Sequence, residues 1–88
     1  MFYTYVLLDK NNYFYIGYST NLKNRISEHK RGKVFATKSK LPIKLVYYEA
    51  CLIKYDALNR EKYLKSGPGR KFLKKRLRNF ISSRAEAS

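Results

Sequence analysis

The chain has 88 residues, enough for one domain around a single core and too few for several layers or a large enclosed cofactor. A hydrophobic fraction of 44%, with nine Tyr and five Phe, excludes a disordered basic tail. Twenty Lys and Arg against six Asp and Glu leave a formal charge of +14, so the expected partner is a polyanion, and nucleic acid stands first among them.

Taken in chain order, Phe2 to Leu8 is aromatic and β-branched. Tyr13 to Tyr18 repeats that character after Asp9-Lys10-Asn11-Asn12, which predicts a β-hairpin. Asn tolerates left-handed backbone, so Asn11 or Asn12 can close the turn without a glycine. Loop length then sets the register. A three-residue loop, Lys10 to Asn12, pairs Asp9 with Tyr13, Leu7 with Tyr15 and Tyr5 with Gly17. Tyr5 and Tyr15 then lie on one face as diagonal neighbours, roughly 7 Å apart. A two-residue loop would put them on opposite faces.

Ser19, Thr20 and Asn21 are N-cap candidates for a helix running to about Arg31, with Gly32 placed to end it. Leu22 and Ile26 form its apolar contacts, and Arg25 and His29 a bordering i, i+4 stripe at the edge of the helix–sheet contact. Lys33 to Leu41 is polar and basic, stops at Pro42 and reads as a loop. Ile43 to Cys51 is the third strand. Asp56 is a candidate cap for a second helix that ends near Gly67-Pro68-Gly69. Arg70 to about Arg84 is a third helix with Leu73, Leu77, Phe80 and Ile81 on one face. Residues 1–84 make a single domain and 85–88 a frayed tail. No apolar run of membrane-spanning length, signal core or lipidation motif is present, so the expected compartment is the cytoplasm.

Cys51 is the only cysteine, which rules out an internal disulfide and a thiolate zinc site. It ends an apolar run and reads as a packed thiol. His29 is the only histidine, and no nucleophile-elbow pattern accompanies it, so thiol and serine hydrolase chemistry fall away.

Glu61 is the most telling residue. Ala57, Leu58, Glu61 and Leu64 are spaced by three and four, so a carboxylate interrupts an apolar helical stripe, and a buried carboxylate is costly unless paired or bound to a metal. Two readings are open: a salt bridge to a neighbouring Lys or Arg, or a hard divalent ion such as Mg²⁺ that takes the rest of its shell from water and phosphate. Arg25 can grip a phosphate with its planar fork, or be an ordinary surface arginine; His29 can shuttle a proton or bind phosphate, or simply pack. Tyr5 and Tyr15 are ordinary strand formers, and a phenol with a pKa of ~10 acts as a base only if cations or a metal lower it. From Arg60 to Arg84 ten basic residues face one acid. Helical spacing puts Lys71, Lys74, Lys75 and Arg78 on one ridge beside Arg70, and Lys33, Lys38 and Lys40 add a second basic surface. Both suit phosphate contact, though charge runs also serve as solvated faces.

In this order and spacing the residues resemble the GIY-YIG nucleases, a family that includes homing endonucleases, some restriction enzymes and the incision subunit of bacterial nucleotide excision repair. Tyr3-Thr4-Tyr5 stands where the first motif lies, and Tyr15-Ile16-Gly17 reproduces the second. Leu22-Lys23-Asn24-Arg25 with Ile26 and His29 is similar to the family's arginine helix. Leu45 to Glu49, then Ala57-Leu58 and Arg60-Glu61-Lys62, are similar to the strand and glutamate helix of short bacterial members. The first motif lacks its Gly and Ile, and Asn79 is the only asparagine downstream of the glutamate helix; no role follows for it.

The resemblance implies a small α/β (α+β) fold, a three-stranded antiparallel sheet flanked by about three helices. It implies metal-dependent hydrolysis of phosphodiester bonds with Mg²⁺ or Mn²⁺. Tyr5 and Tyr15 would be the tyrosine pair, either of them the one that helps the attacking water; Arg25 would meet phosphate charge, and Glu61 would hold the metal. The expected substrate is DNA, with RNA open, at branched, flapped or damaged structures in repair or recombination. The chain itself would be a monomer whose specificity comes from a protein partner or from the shape of the nucleic acid. The competing reading is a non-catalytic nucleic-acid-binding module on the same fold.

Overall fold

The aromatic run near the N-terminus forms the central strand of the sheet, β1 (Phe2–Leu8), with β2 (Phe14–Ser19) on one side and β3 (Lys44–Cys51) on the other, both antiparallel to it. The structure, a computed structural model, describes residues 1–87. Four helices complete it: α1 (Leu22–Lys30), α2 (Lys54–Lys65), α3 (Gly67–Arg76) and α4 (Arg78–Ala87). Because β1 is covered on both faces, Thr4 through Asp9 are all buried, the expected pattern for a strand with no solvent side.

The side-chain period of two sorts the strands into two layers. One face carries Tyr5 and Leu7, with Tyr15 beside them, and packs on Ile26 of α1 and on Ile43. The other carries Val6 and Ile16 and packs on Leu64 of α2 and on Leu73 and Leu77. Thr4 points to this second face, where its hydroxyl donates to the Ala57 carbonyl at 2.7 Å. The hairpin register is the one a three-residue loop dictates: Leu7 opposite Tyr15 and Tyr5 opposite Gly17. Asn12 takes the left-handed conformation, φ 66°. The buried Asp9 carboxylate pins the turn by accepting the backbone N–H groups of Asn11 and Tyr13.

Asn21 caps α1, its side chain accepting from the Asn24 N–H, and the helix closes at Arg31 before Gly32. Three expectations need correction. Asp56 is not the cap of α2: the helix begins at Lys54 with Ile53 at the cap position, and Asp56 lies in the first turn, where its charge faces the positive end of the helix dipole. Gly67-Pro68-Gly69 is no connecting loop but the first turn of α3, where proline's missing N–H costs nothing. Gly69 is needed there because a Cβ would collide with the backbone of Tyr63 and Leu64 at the end of α2. Third, the helix expected from Arg70 to Arg84 is two helices that break at Leu77, a residue drawn into the core. Arg78 therefore opens α4 and does not continue the ridge of Lys71, Lys74 and Lys75 on α3. The backbone of α4 is helical to Ala87, and Ser88, the end of the expected frayed tail, lies outside the described residues.

Candidate active site

Tyr5 and Tyr15 project from neighbouring strands toward α1, with ring centroids 6.4 Å apart. Gly17 makes this possible, because it stands directly opposite Tyr5 and a Cβ on it would overlap the Tyr5 ring. The last turn of α1 brings His29 against both rings, edge-on, at 5.6 Å from Tyr5 and 5.3 Å from Tyr15. The Tyr5 hydroxyl lies 2.8 Å from His29 Nε2, and His29 Nδ1 lies 2.7 Å from the hydroxyl of Thr37, in the loop that folds back over the helix end. Tyr5, His29 and Thr37 are all buried.

Burial, and next the charge of Arg25, hold the His29 pKa below its ordinary value, so the imidazole is neutral. A neutral imidazole donates at one nitrogen and accepts at the other. Tyr5 and Thr37 therefore cannot both donate to it, and the three groups form a directional chain of hydrogen bonds.

Arg25, one turn before His29, stands beside the Tyr5 hydroxyl. Burial raises the Tyr5 pKa, Arg25 opposes that shift, and the charges of Tyr15 and Glu61 add to it; the outcome is a phenol held above its ordinary value. The guanidinium sits at the Tyr5 hydroxyl and makes a long contact, 3.5 Å, to Glu28; with its side chain 37% exposed it remains open to a phosphate.

Glu61 stands in the other layer. It projects from α2, its charge bears on Tyr5, and its carboxylate pairs with Lys65 one turn on at 3.2 Å. The structure thus brings Tyr5, Tyr15, Arg25 and His29 together, while Glu61 stands at their margin in an ion pair. Among the described residues no group of three or more His, Cys, Asp or Glu side chains is arranged to hold a metal. A metal here would take one protein oxygen, from the 23%-exposed Glu61 side chain, and the remainder from water and phosphate, a mode that Mg²⁺ accepts.

The basic residues expected at phosphates, Lys33, Lys38, Lys40, Arg70, Lys71, Lys74, Lys75 and Arg78, are all exposed. Sequence reasoning missed two features. Thr37, inside a polar loop with nothing periodic about it, gave no signal. Glu49 of β3 takes a two-pronged grip from Arg60 of α2 at 2.8 and 2.7 Å and also accepts the Tyr47 hydroxyl at 2.9 Å. The Arg60 guanidinium lies over Tyr63 and Phe72, tying β3, α2 and α3 together.

A three-stranded sheet carrying a tyrosine pair, with an arginine helix on one face and a glutamate helix on the other, is the arrangement that the resemblance to the GIY-YIG fold implies. The family model described as the GIY-YIG catalytic domain matches residues 1–76, and the chain belongs to that family. It is 40% identical over 65 residues to a UPF0213 protein of Staphylococcus haemolyticus, covering 73% of this chain and 79% of that one. A UPF0213 protein of Streptococcus pneumoniae is 38% identical over 64 residues, 72% of this chain; the match spans 65% of the pneumococcal protein, just under two thirds of its length. The solution NMR structure of the UPF0213 protein BH0048 from Bacillus halodurans shares the fold, with a TM-score of 0.53 and 32% identity over 83% of this chain and 82% of that one. No helix among the described residues is long and apolar enough to cross a membrane.

Proposed function

We propose that the chain is an endonuclease that hydrolyses phosphodiester bonds in DNA with Mg²⁺ or Mn²⁺, acting in the cytoplasm as a monomer on branched, flapped or damaged structures. The observation that supports this most is the convergence of Tyr5, Tyr15, Arg25 and His29 on one sheet face with the charge of Glu61 in reach of Tyr5. Arg25 meets the phosphate. Tyr15, the more exposed of the two rings, orients the attacking water. Tyr5 has a neutral base at its hydroxyl: when Tyr5 takes a proton from the water, its own passes to His29 Nε2, with Nδ1–H donating to Thr37. Glu61 would hold the metal, which when bound would supply Lewis-acid polarisation of the phosphate. Lys33, Lys38, Lys40, Arg70, Lys71, Lys74, Lys75 and Arg78 hold the strands by their phosphates, and target choice comes from nucleic-acid shape or a protein partner.

A second reading, a binding module without turnover, has its own support: the Glu61 carboxylate is already paired with Lys65, and the Tyr5 phenol is held above its ordinary pKa. A nicking assay on supercoiled plasmid and on branched DNA and RNA substrates, with the divalent metal varied and Glu61→Gln alongside, separates the two. Metal-dependent nicking that Glu61→Gln abolishes supports the nuclease. Binding without cleavage under any metal supports the module.

A further inference from the structure

The sheet face away from the tyrosine pair carries a second concavity. It is a cleft of about 590 Å³ between the hairpin turn and the last two helices, with Tyr13, Phe14 and Phe80 on its apolar side and Arg70, Lys74 and Arg84 on its rim. No carboxylate lines it among the described residues. Tyr13 is 70% exposed, so its ring is open to a ligand. Phe80 is flanked by two cations, with Lys44 Nζ 5.6 Å and the Arg84 guanidinium 5.7 Å from its ring centre. Arg84 also donates to the Asn12 side chain, a contact between α4 and the hairpin turn. The far wall of the cleft, Phe80 and Arg84 on α4, lies beyond residue 76, where the match to the catalytic-domain family ends.

From this geometry we infer that the cleft is a binding site for one unpaired nucleotide of a nucleic-acid strand, its base stacked on Tyr13 and its phosphate held by Arg70, Lys74 and Arg84. The chemistry selects that ligand. Exposed aromatic faces interleaved with unopposed cations are how proteins take single-stranded nucleic acid, since every base offers a π-face and every nucleotide a charge. A bare polyanion would need the cations and not the ring, and an apolar peptide the ring and not the cations. The interior of a duplex cannot use the ring, because its bases are stacked and paired.

The position suggests what the site is for, and this part rests on the nuclease reading above. Phe14 and Tyr15 are successive residues of edge strand β2, so they point to opposite faces of the sheet about 3.3 Å apart along the strand. A strand passing round that edge can leave one unpaired nucleotide in the cleft while a nucleotide further along lies at the tyrosines. The preferred substrate is then a junction between paired and unpaired strands.

The test is fluorescence anisotropy on the full chain, with chelator present so that nothing is cut, using a labelled oligothymidylate and a blunt duplex at one fixed salt concentration. Tyr13→Ala is expected to weaken oligothymidylate binding on the order of tenfold and leave duplex binding unchanged, and Tyr13→Phe, which keeps the ring, to restore wild-type affinity. A cross-link from 5-iodouracil in the oligonucleotide to Tyr13 would support the placement directly. Equal loss on both probes, no loss on either, or displacement of the oligonucleotide by polyglutamate regardless of residue 13 would overturn the proposal. Wild-type protein that binds duplex but not single strand sinks the cleft alone, whereas wild-type protein that binds neither sinks the nucleic-acid reading with it.

Discussion

Gly17 and Tyr5 face each other across β1 and β2 so closely that a methyl group on Gly17 would occupy the space of the Tyr5 ring. Tyr5 is 1% exposed and has nowhere to retreat. Gly17→Ala is therefore expected to cost about 1–3 kcal/mol of stability, as overpacking does, and to break the contact of Tyr5 with His29. Gly67→Ala is the control: nothing lies within 4 Å of its Cβ position, and a change within about 0.5 kcal/mol is expected. Urea melts of both variants, with nicking assays in parallel, check this. Equal melts for the two would mean that the packing around Gly17 is looser than described.

Acid should unfold the chain in two windows. His29 is held below 6.5 by burial and then by Arg25, so it stays neutral in the fold while the unfolded chain takes up a proton. Stability is intact above pH 6.5 and falls as pH drops from there toward the native His29 pKa. The Arg60 grip holds Glu49 below its ordinary 4.5; the stabilisation is present above pH 4.5 and lost as pH falls through the native value. Urea midpoints measured across pH should show both slopes, His29→Gln removing the upper and Arg60→Gln the lower. If the upper slope survives in His29→Gln, another group titrates there.

Lys65 competes with any cation for Glu61. Exposed i, i+4 pairs are worth less than about 1 kcal/mol, so Lys65→Met should lower the metal concentration needed for half-maximal cleavage about two- to fivefold without abolishing activity. A metal titration of the nicking rate reads this out. An unchanged requirement, with Glu61→Gln still inactive, would place the role of Glu61 elsewhere than at the metal.

The α3 ridge should act through phosphates. Replacing exposed Lys71 and Lys75 by Gln should weaken binding to duplexes of different sequence alike and reduce the slope of log K against log salt by about two. Titrations at several salt concentrations measure it, and sequence-dependent losses would speak against a purely backbone contact.

Much of this was readable in the residues because local rules decided it. The hairpin and its two possible loop lengths are legible, and the three-residue loop of Lys10 to Asn12 is the one that puts Tyr5 and Tyr15 side by side; Asn21 is the one of three candidate caps that starts α1, and the spacing of Arg25 and His29 brings both to the sheet. The rest depended on distant partners. The start of α2 at Lys54 carries no capping side chain, so pattern placed it too late. The break at Leu77 has no Pro or Gly to announce it and follows from that side chain turning into the core. Thr37 meets His29 only because a loop without periodicity folds over the helix end. On Glu61, pattern saw a carboxylate on an apolar stripe but could not choose between a cation side chain and a metal, and Lys65 occupies it here.

One hydroxyl joins α2 and α3. Ser66 ends α2 by donating to the Tyr63 carbonyl and starts α3 by accepting from the Gly69 N–H, with no residue to spare between them. Such a corner leaves no slack for a hinge, so the basic ridge of α3 and Glu61 on α2 move as one body. In the proposed nuclease the domain would then work as a fixed gauge: the distance between the ridge that grips a strand and the site that cuts it would be built into the backbone, and a single inserted residue at Ser66 would reset it.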